Sequence, residues 1–271
     1  MRARAALTAE ADATGRTRLT LVRSEAPLVL RPTADAVYLA AGAAGPVGGD
    51  DLGLTVTVGP GACLTLRTVA ATVALPGPLG RPPPAASPGP AESPGPGESV
   101  FRLAASVGAG GRLAILPEPT VVAANAHHRV ASTVEVAAGG ALVLREEVIL
   151  GRHGETGGTY RGLSHVDVAG APLLRHELVL DGADPAAVGP AAAVGAHACG
   201  SLLVVHPAWD PVHRPAGYVG PGAAAMPLAG PGLLVTAVAG DARTLRARLM
   251  TRHRGAERSG GPPNDEFQPA G

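Results

Sequence analysis

A short unit that recurs along the chain constrains its fold more than any other feature. Each copy has a valine at the end of an alternating apolar run, five turn residues that include glycine, and then leucine, any residue, and leucine or isoleucine; the copies start at Val58, Val107 and Val136. Such alternation is typical of half-buried strands, and turns of this length commonly place glycine where φ must be positive. Segment 166–173 is a shorter fourth copy. Although chance reuse of hairpins would produce a similar pattern, we interpret it as an all-β fold of stacked hairpins.

The chain of 271 residues is interpreted as one β-rich domain over residues 1–254 with one irregular insertion. Single all-β domains reach roughly 200–250 residues. Residues 76–98 are rich in Pro, Gly, Ala and Ser without periodicity, which predicts a disordered insertion. Asp241–Arg254 carries leucines and arginines at helical spacing and is the best helix candidate. Residues 255–271 are predicted to form a disordered tail.

Composition excludes several functional classes. Arginine supplies the whole Lys+Arg count of 22, and the missing lysine excludes a phosphate-loop lysine and a Schiff-base site. The formal net charge of zero gives no electrostatic reason to expect nucleic acid or a membrane as partner. Cys63 and Cys199 are too few for a disulfide framework or a four-thiolate zinc site. Because neither a signal-peptide nor a membrane-helix pattern is present, we expect a cytoplasmic protein.

Four polar residues fall in phase with the apolar faces of the predicted strands. Asp50 shares the phase of a valine and leucine run, Thr68 and Thr72 continue a leucine face, and Glu146 lies on the face that ends at Leu150. A buried carboxylate without a partner is costly, so these residues need a partner, a shifted pKa or water. Two interpretations stay open: an ion pair that only stabilises the fold, or a wet internal passage lined with oxygen donors. The candidate partners are Arg67, Arg145 and Arg152.

Patterns typical of nucleophiles and metal ligands are weak. Ser164 follows a glycine as in a nucleophile elbow, but the second glycine is missing and a strand follows, so we expect an exposed or turn serine. His197 and Cys199 share one face of a predicted strand and form at most a weak, transient transition-metal site. A packed cysteine beside a hydrogen-bonded histidine is the alternative. The pair His127-His128 is predicted to lie in a loop with diverging side chains.

Three motifs place charged residues at the edges of strand-like runs: Gly48-Gly49-Asp50-Asp51-Leu52, Leu116-Pro117-Glu118-Pro119 and the segment Glu146–Glu155. They recur in the same order in the UreD/UreH family of urease accessory proteins. The chain resembles this family from about Gly15 to Leu249. It departs at Val69 and at residues 73–75, where the family usually has glutamine, a basic residue and an aromatic residue. Arg152 and Glu155, in the third motif, join the candidates for an internal passage or for coupling to a partner.

The resemblance implies a β-helix-like fold of two roughly perpendicular sheets with one or two short helices, and no catalytic activity. It also implies that no cofactor is bound stably and that nickel is the transferred ion. The implied partners are a helical UreF-like protein, a UreG-like GTPase that it recruits, and the urease apoenzyme.

Three functions follow from these observations. The leading one is a maturation scaffold that assists nickel insertion into apo-urease. The alternative is a generic β-sheet module for protein interaction or ligand binding without a role in metal delivery. A hydrolase that uses Ser164 or a pair of carboxylates comes third.

Overall fold

The structure is a computed structural model that describes residues 1–77, 97–184, 195–209 and 216–258. Within these ranges the chain forms eighteen strands in two sheets and one helix, which confirms the predicted all-β class. Residues 78–96 of the predicted insertion and residues 259–271 of the predicted tail lie outside the described residues. In the described part, no helix is long and apolar enough to cross a membrane.

The first sheet has seven strands in the order β14-β13-β11-β8-β5-β1-β2. Five of them run parallel, and the antiparallel strands β2 and β14 form its edges. Its strands are β1 (Arg2–Ala11), β2 (Thr17–Arg23), β5 (Asp51–Val58), β8 (Glu98–Val107), β11 (His127–Val136), β13 (Thr159–Val168) and β14 (Ala171–Asp181).

The second sheet has eleven strands. Nine follow the order β16-β17-β18-β15-β12-β9-β6-β4-β3, while β10 pairs with both β12 and β7. Its strands are β3 (Leu28–Pro32), β4 (Val37–Ala41), β6 (Cys63–Thr68), β7 (Thr72–Ala74), β9 (Arg112–Leu116), β10 (Thr120–Val122), β12 (Ala141–Leu150), β15 (Ala198–Val205), β16 (Tyr218–Gly220), β17 (Ala223–Pro227) and β18 (Gly232–Ala239).

The recurring unit joins the two sheets instead of forming a hairpin. In each copy the turn leaves the seven-stranded sheet and enters the eleven-stranded sheet, from β5 to β6, β8 to β9 and β11 to β12. Gly61, Gly110 and Gly139 occupy the same turn position with φ of 67°, 66° and 77°, as the pattern predicts. Each strand bonds in parallel to its counterpart in the next copy, so units stack on one another.

The fourth copy is a true hairpin. Strands β13 and β14 pair antiparallel, with a register shift between Val166 and Asp167. Its shorter turn uses Ala169 and Gly170 at φ of 51° and 79°. This turn lacks the extra residues of the other copies. The chain therefore folds back within the same sheet, where β14 forms the edge strand.

The main core lies between the sheets and consists of Leu, Val, Ala and one Ile. Helix α1 (Ala242–Arg258) covers the opposite face of the eleven-stranded sheet, where Leu245 and Leu249 are fully buried. Asp241 caps the helix, since its Oδ1 accepts a hydrogen bond of 2.8 Å from the backbone N–H of Thr244. The predicted helix is confirmed, and it continues through residues 255–258 of the segment predicted as tail.

Candidate functional site

Two buried rows of polar side chains cross the inner face of the seven-stranded sheet. Strand register makes Ser99, His128 and Tyr160 direct neighbours on β8, β11 and β13. Their exposed fractions are 0%, 3% and 1%. Farther along β11 and β13, Ser132 and Ser164 are paired in the same way and are also buried. The inner face is therefore polar here, although it is apolar at the other end of the same strands.

Glu146 reaches these rows from the opposite sheet. It lies on β12, and the hydroxyl group of Tyr160 donates a hydrogen bond to its Oε1. Gly162 makes room for this contact, because a Cβ at that position would lie 2.5 Å from the same oxygen. Burial raises the pKa of the Glu146 carboxyl, while the Tyr160 hydrogen bond and nearby His176 act against that rise. The result is a carboxyl–phenol pair in largely apolar surroundings.

A cavity of about 370 Å³ lies between the sheets at this point. Most of its wall is apolar, and Thr68, Thr72 and Glu146, three of the predicted site residues, line it. Its rim includes Val69, which is 62% exposed, and the exposed Ala71. Three of the residues singled out by strand phase thus lie in the wall of one cavity, and their role in a passage stays a prediction.

The two threonines sit close to the second sequence motif. Thr68 Oγ1 accepts a hydrogen bond of 2.8 Å from the backbone N–H of Glu118 and donates one of 3.0 Å to the carbonyl of Ala70. The backbone N–H of Thr72 donates to the carbonyl of Pro119 at 3.0 Å. The Leu116–Pro119 motif thus forms one wall of the cavity together with the ends of β6 and β7.

An ionic network connects helix α1 to the same wall. The guanidinium group of Arg246 donates to the fully buried carboxylate of Glu147 at 2.5 Å and pairs with Glu118 at 3.0 Å. Arg145 lies 3.7 Å from Glu147 and donates to the carbonyl of Pro117 at 2.7 Å. Burial lowers the pKa of Arg145, and the hydrogen bond to Glu147 raises the pKa of Arg246. Arg145, a predicted partner for Glu146, is therefore engaged by other carboxylates.

Asp50 is buried but is not among the residues that line the cavity. Its Oδ1 pairs with the α-amino group of Met1, and its Oδ2 accepts a hydrogen bond of 2.8 Å from the backbone N–H of Val47. The interpretation as a structural ion pair fits Asp50, but the amino terminus takes the place of the predicted arginine.

Comparison with known proteins gives a family match over most of the chain. The family model described as "UreD urease accessory protein" matches residues 1–263. The chain belongs to the UreD family. It is 44% identical to the urease accessory protein UreD of Parafrankia sp. (strain EAN1pec), over 92% of this chain and 86% of that protein. It is 43% identical to the UreD of Frankia alni, over 92% and 91%. UreD 3 of Streptomyces griseus is 41% identical, over 92% and 94%. This membership supports a general role in urease maturation.

The last residues of the third family motif, which follow β12, lie on the surface. Arg152 and Glu155 form an ion pair of 2.7 Å in an exposed turn, and this pair lowers the pKa of Glu155 to about 2. Neither residue lines the cavity. A role of Arg152 and Glu155 in coupling to a partner protein stays a prediction.

His197 and Cys199 are placed differently from each other. The side chain of His197 is exposed at the bend before β15, while Cys199 is buried on that strand and burial raises the pKa of its thiol. Across the described ranges, no group of three or more His, Cys, Asp or Glu residues is arranged to hold a metal ion. A weak, transient site at these two residues stays a prediction.

Sequence reasoning misplaced or missed four polar residues of this UreD-family interior. Ser164 is neither exposed nor in a turn; it is buried within β13. The histidine pair begins strand β11 instead of lying in a loop, although its side chains do diverge and His128 faces inward. Tyr160 was a usable signal that was overlooked, because it shares the phase of Ser164 on β13. Ser99 gave no signal, since serine is common on both faces of a strand.

Proposed function

We propose that this UreD-family chain is a maturation scaffold that assists nickel insertion into apo-urease together with UreF-like and UreG-like partners. In this proposal the cavity between the sheets is part of a hydrated route for the ion. The observation that carries it is a cavity of about 370 Å³ with the Glu146 carboxylate in its wall.

The chemistry of the cavity wall suits a cation that must pass through. Nickel accepts oxygen, nitrogen and water ligands, and Thr68, Thr72 and Glu146 offer hydroxyl and carboxylate oxygens. Within the described residues no cluster of three or more potential ligands is present. A cation would therefore keep much of its water shell and exchange quickly, as transferred cargo requires.

The partners are proposed on two grounds. The chain has no lysine for a phosphate loop, so any nucleotide hydrolysis in this process has to come from a partner such as a UreG-like GTPase. The cavity rim carries exposed apolar side chains, including Val69 and Ala71. Exposed apolar surface of this kind is typical of protein-binding regions.

The test is co-expression of urease with its accessory proteins, with and without this chain, followed by nickel analysis of the purified urease. We expect nickel content and activity to fall without the chain. Glu146→Gln should lower nickel content while the accessory complex still assembles, and the matched control Glu135→Gln, at an exposed carboxylate on β11, should not. Normal nickel loading by Glu146→Gln would contradict the internal route, and normal loading without the chain would contradict the scaffold.

A second candidate, a ligand-binding module without metal delivery, is favoured by the mostly apolar wall of the cavity. Small-molecule pockets are commonly apolar with a few convergent polar groups. This candidate predicts that urease acquires nickel normally when the chain is absent. The same co-expression experiment therefore separates the two functions.

A further inference from the structure

The polar row on the seven-stranded sheet contains a histidine with a defined environment. His128 lies between Ser99 on β8 and Tyr160 on β13, in register with both. The residue is 3% exposed and lines the cavity. Burial lowers the pKa of His128 to about 4, so the ring is neutral near pH 7. A neutral imidazole is the form that binds transition metals.

Ser99 orients this ring. Its Oγ lies 2.9 Å from Nδ1 of His128 and 3.4 Å from the backbone carbonyl oxygen of His127. When Ser99 donates its proton to that carbonyl, its oxygen accepts the hydrogen carried on Nδ1. The lone pair of the ring is then on Nε2. A hydrogen bond at one ring nitrogen that fixes the other as a ligand is a common arrangement in metal sites.

Glu146 supplies a second donor at the same cavity. The ring centroids of His128 and Tyr160 are 6.2 Å apart, and the Tyr160 hydroxyl donates to Oε1 of Glu146. This hydrogen bond holds the carboxyl group in place and leaves Oε2 as its second oxygen. His128 and Glu146, which lie on opposite sheets, thus both line a single cavity.

We propose that Nε2 of His128 and the carboxylate of Glu146 form a transient two-ligand site for a nitrogen-binding divalent cation such as Ni²⁺, completed by water and positioned by Ser99 and Tyr160. The inference rests on the proposed function, because it places a transient binding site for the cation along the proposed route through the cavity. A mixed nitrogen and oxygen set favours a transition metal over Mg²⁺ or Ca²⁺, which prefer oxygen ligands alone. Two protein ligands hold the ion weakly enough for release.

The first test needs no substitution. In the full-length chain with ¹⁵N-labelled histidine, we expect one histidine to stay neutral down to about pH 5, given its pKa of about 4, with its hydrogen on Nδ1. Addition of Zn²⁺, a diamagnetic probe, should shift its Nε2 resonance selectively. A hydrogen on Nε2 of that histidine, or a resonance that Zn²⁺ leaves unchanged, would overturn the inference.

The second test measures Ni²⁺ binding to the full-length chain by titration calorimetry with Mg²⁺ present. His128→Gln should weaken binding by at least about tenfold, and Ser99→Ala by about tenfold through loss of ring orientation. His127→Gln is the matched control, because its side chain points away from His128, and it should bind as the wild type does. Equal Ni²⁺ affinity of His128→Gln and wild type would overturn the inference.

Two different measurements test this inference and the proposed function: the Ni²⁺ affinity of the chain tests the first, and the nickel content of urease tests the second. If His128→Gln retains full Ni²⁺ affinity while Glu146→Gln still lowers the nickel content of urease, the His128 site is overturned and the route stands. If His128→Gln loses Ni²⁺ affinity but no cavity variant changes urease nickel content, the site is supported and the route is overturned.

Discussion

The hydroxyl group of Tyr160 on β13 donates a hydrogen bond to the carboxyl group of Glu146 on β12, and this bond joins the two sheets. Burial raises the pKa values of both groups, because it disfavours the ionised form of each. The bond lies in the wall of the cavity that three predicted site residues line. The protonation state of Glu146 therefore affects both the packing of the two sheets and the charge in the cavity wall.

Tyr160→Phe should destabilise the protein by about 1–3 kcal/mol, because a buried carboxyl group loses its hydrogen-bond donor. Urea denaturation of wild type and variant measures the free energy of unfolding. The matched control is Tyr38→Phe on β4, whose side chain is half-buried. A Tyr160→Phe variant as stable as the control would show that the hydrogen bond adds nothing to the fold.

Glu146 should make stability depend on pH in a defined direction. Its folded-state pKa is raised above the ordinary value of 4.5, so the folded protein binds this proton more tightly than the unfolded chain does. The resulting stabilisation is fully present below about pH 4.5 and is lost as the pH rises through the folded-state pKa. Glu146→Gln lacks this ionisation. The melting temperature of wild type minus that of Glu146→Gln should therefore fall between pH 4.5 and 8, and a difference that rises would contradict the raised pKa.

Gly162→Ala should displace the Glu146 carboxylate, because the new Cβ would lie 2.5 Å from Oε1. Overpacking of this kind costs about 1–3 kcal/mol. Gly240→Ala is a suitable control, because a Cβ at that position would meet no atom within 4 Å. Chemical denaturation of both variants should show a larger loss for Gly162→Ala, together with lower nickel content of urease. Equal losses would contradict close packing around Glu146.

Arg246→Gln should loosen helix α1 from the cavity wall. The variant leaves the fully buried Glu147 carboxylate with Arg145 at 3.7 Å as its remaining cation among the described contacts. Removing one partner from a buried ion pair costs about 3 kcal/mol or more. Arg243→Gln, at an exposed position of the same helix, controls for loss of charge. If thermal unfolding is the same for the two variants, the network does not hold the helix.

Asp50→Asn should lower stability without closing the proposed route, because Asp50 pairs with the amino group of Met1 and does not line the cavity. We expect a loss of about 1–3 kcal/mol, typical of a hydrogen bond to a charged group. Co-expression at a temperature where the variant is folded should give normal nickel content in urease. A loss of nickel content in urease, with an unchanged melting temperature of the variant, would indicate that Asp50 takes part in the route.

Local sequence patterns were enough to predict the strand class, the turn glycines, the helix candidate at Asp241–Arg254 and the apolar-face phase of Thr68, Thr72 and Glu146. Each of these depends on local geometry: period-two alternation, positive φ at a turn, or the helical spacing of leucines and arginines. Its motifs were also sufficient to indicate the UreD family, which the family comparison confirms.

The pairing of the strands and the partners of the buried polar groups depend on the three-dimensional fold. Alternation and a glycine turn are compatible with either a hairpin or a corner between two sheets, so parallel stacking of β5, β8 and β11 is not encoded by the pattern alone. Glu146 meets Tyr160, and Ser99 meets His128, because strand register and sheet packing bring distant segments together. A charged residue's phase shows which way it points, whereas its partner depends on the three-dimensional register of strands far apart in the chain.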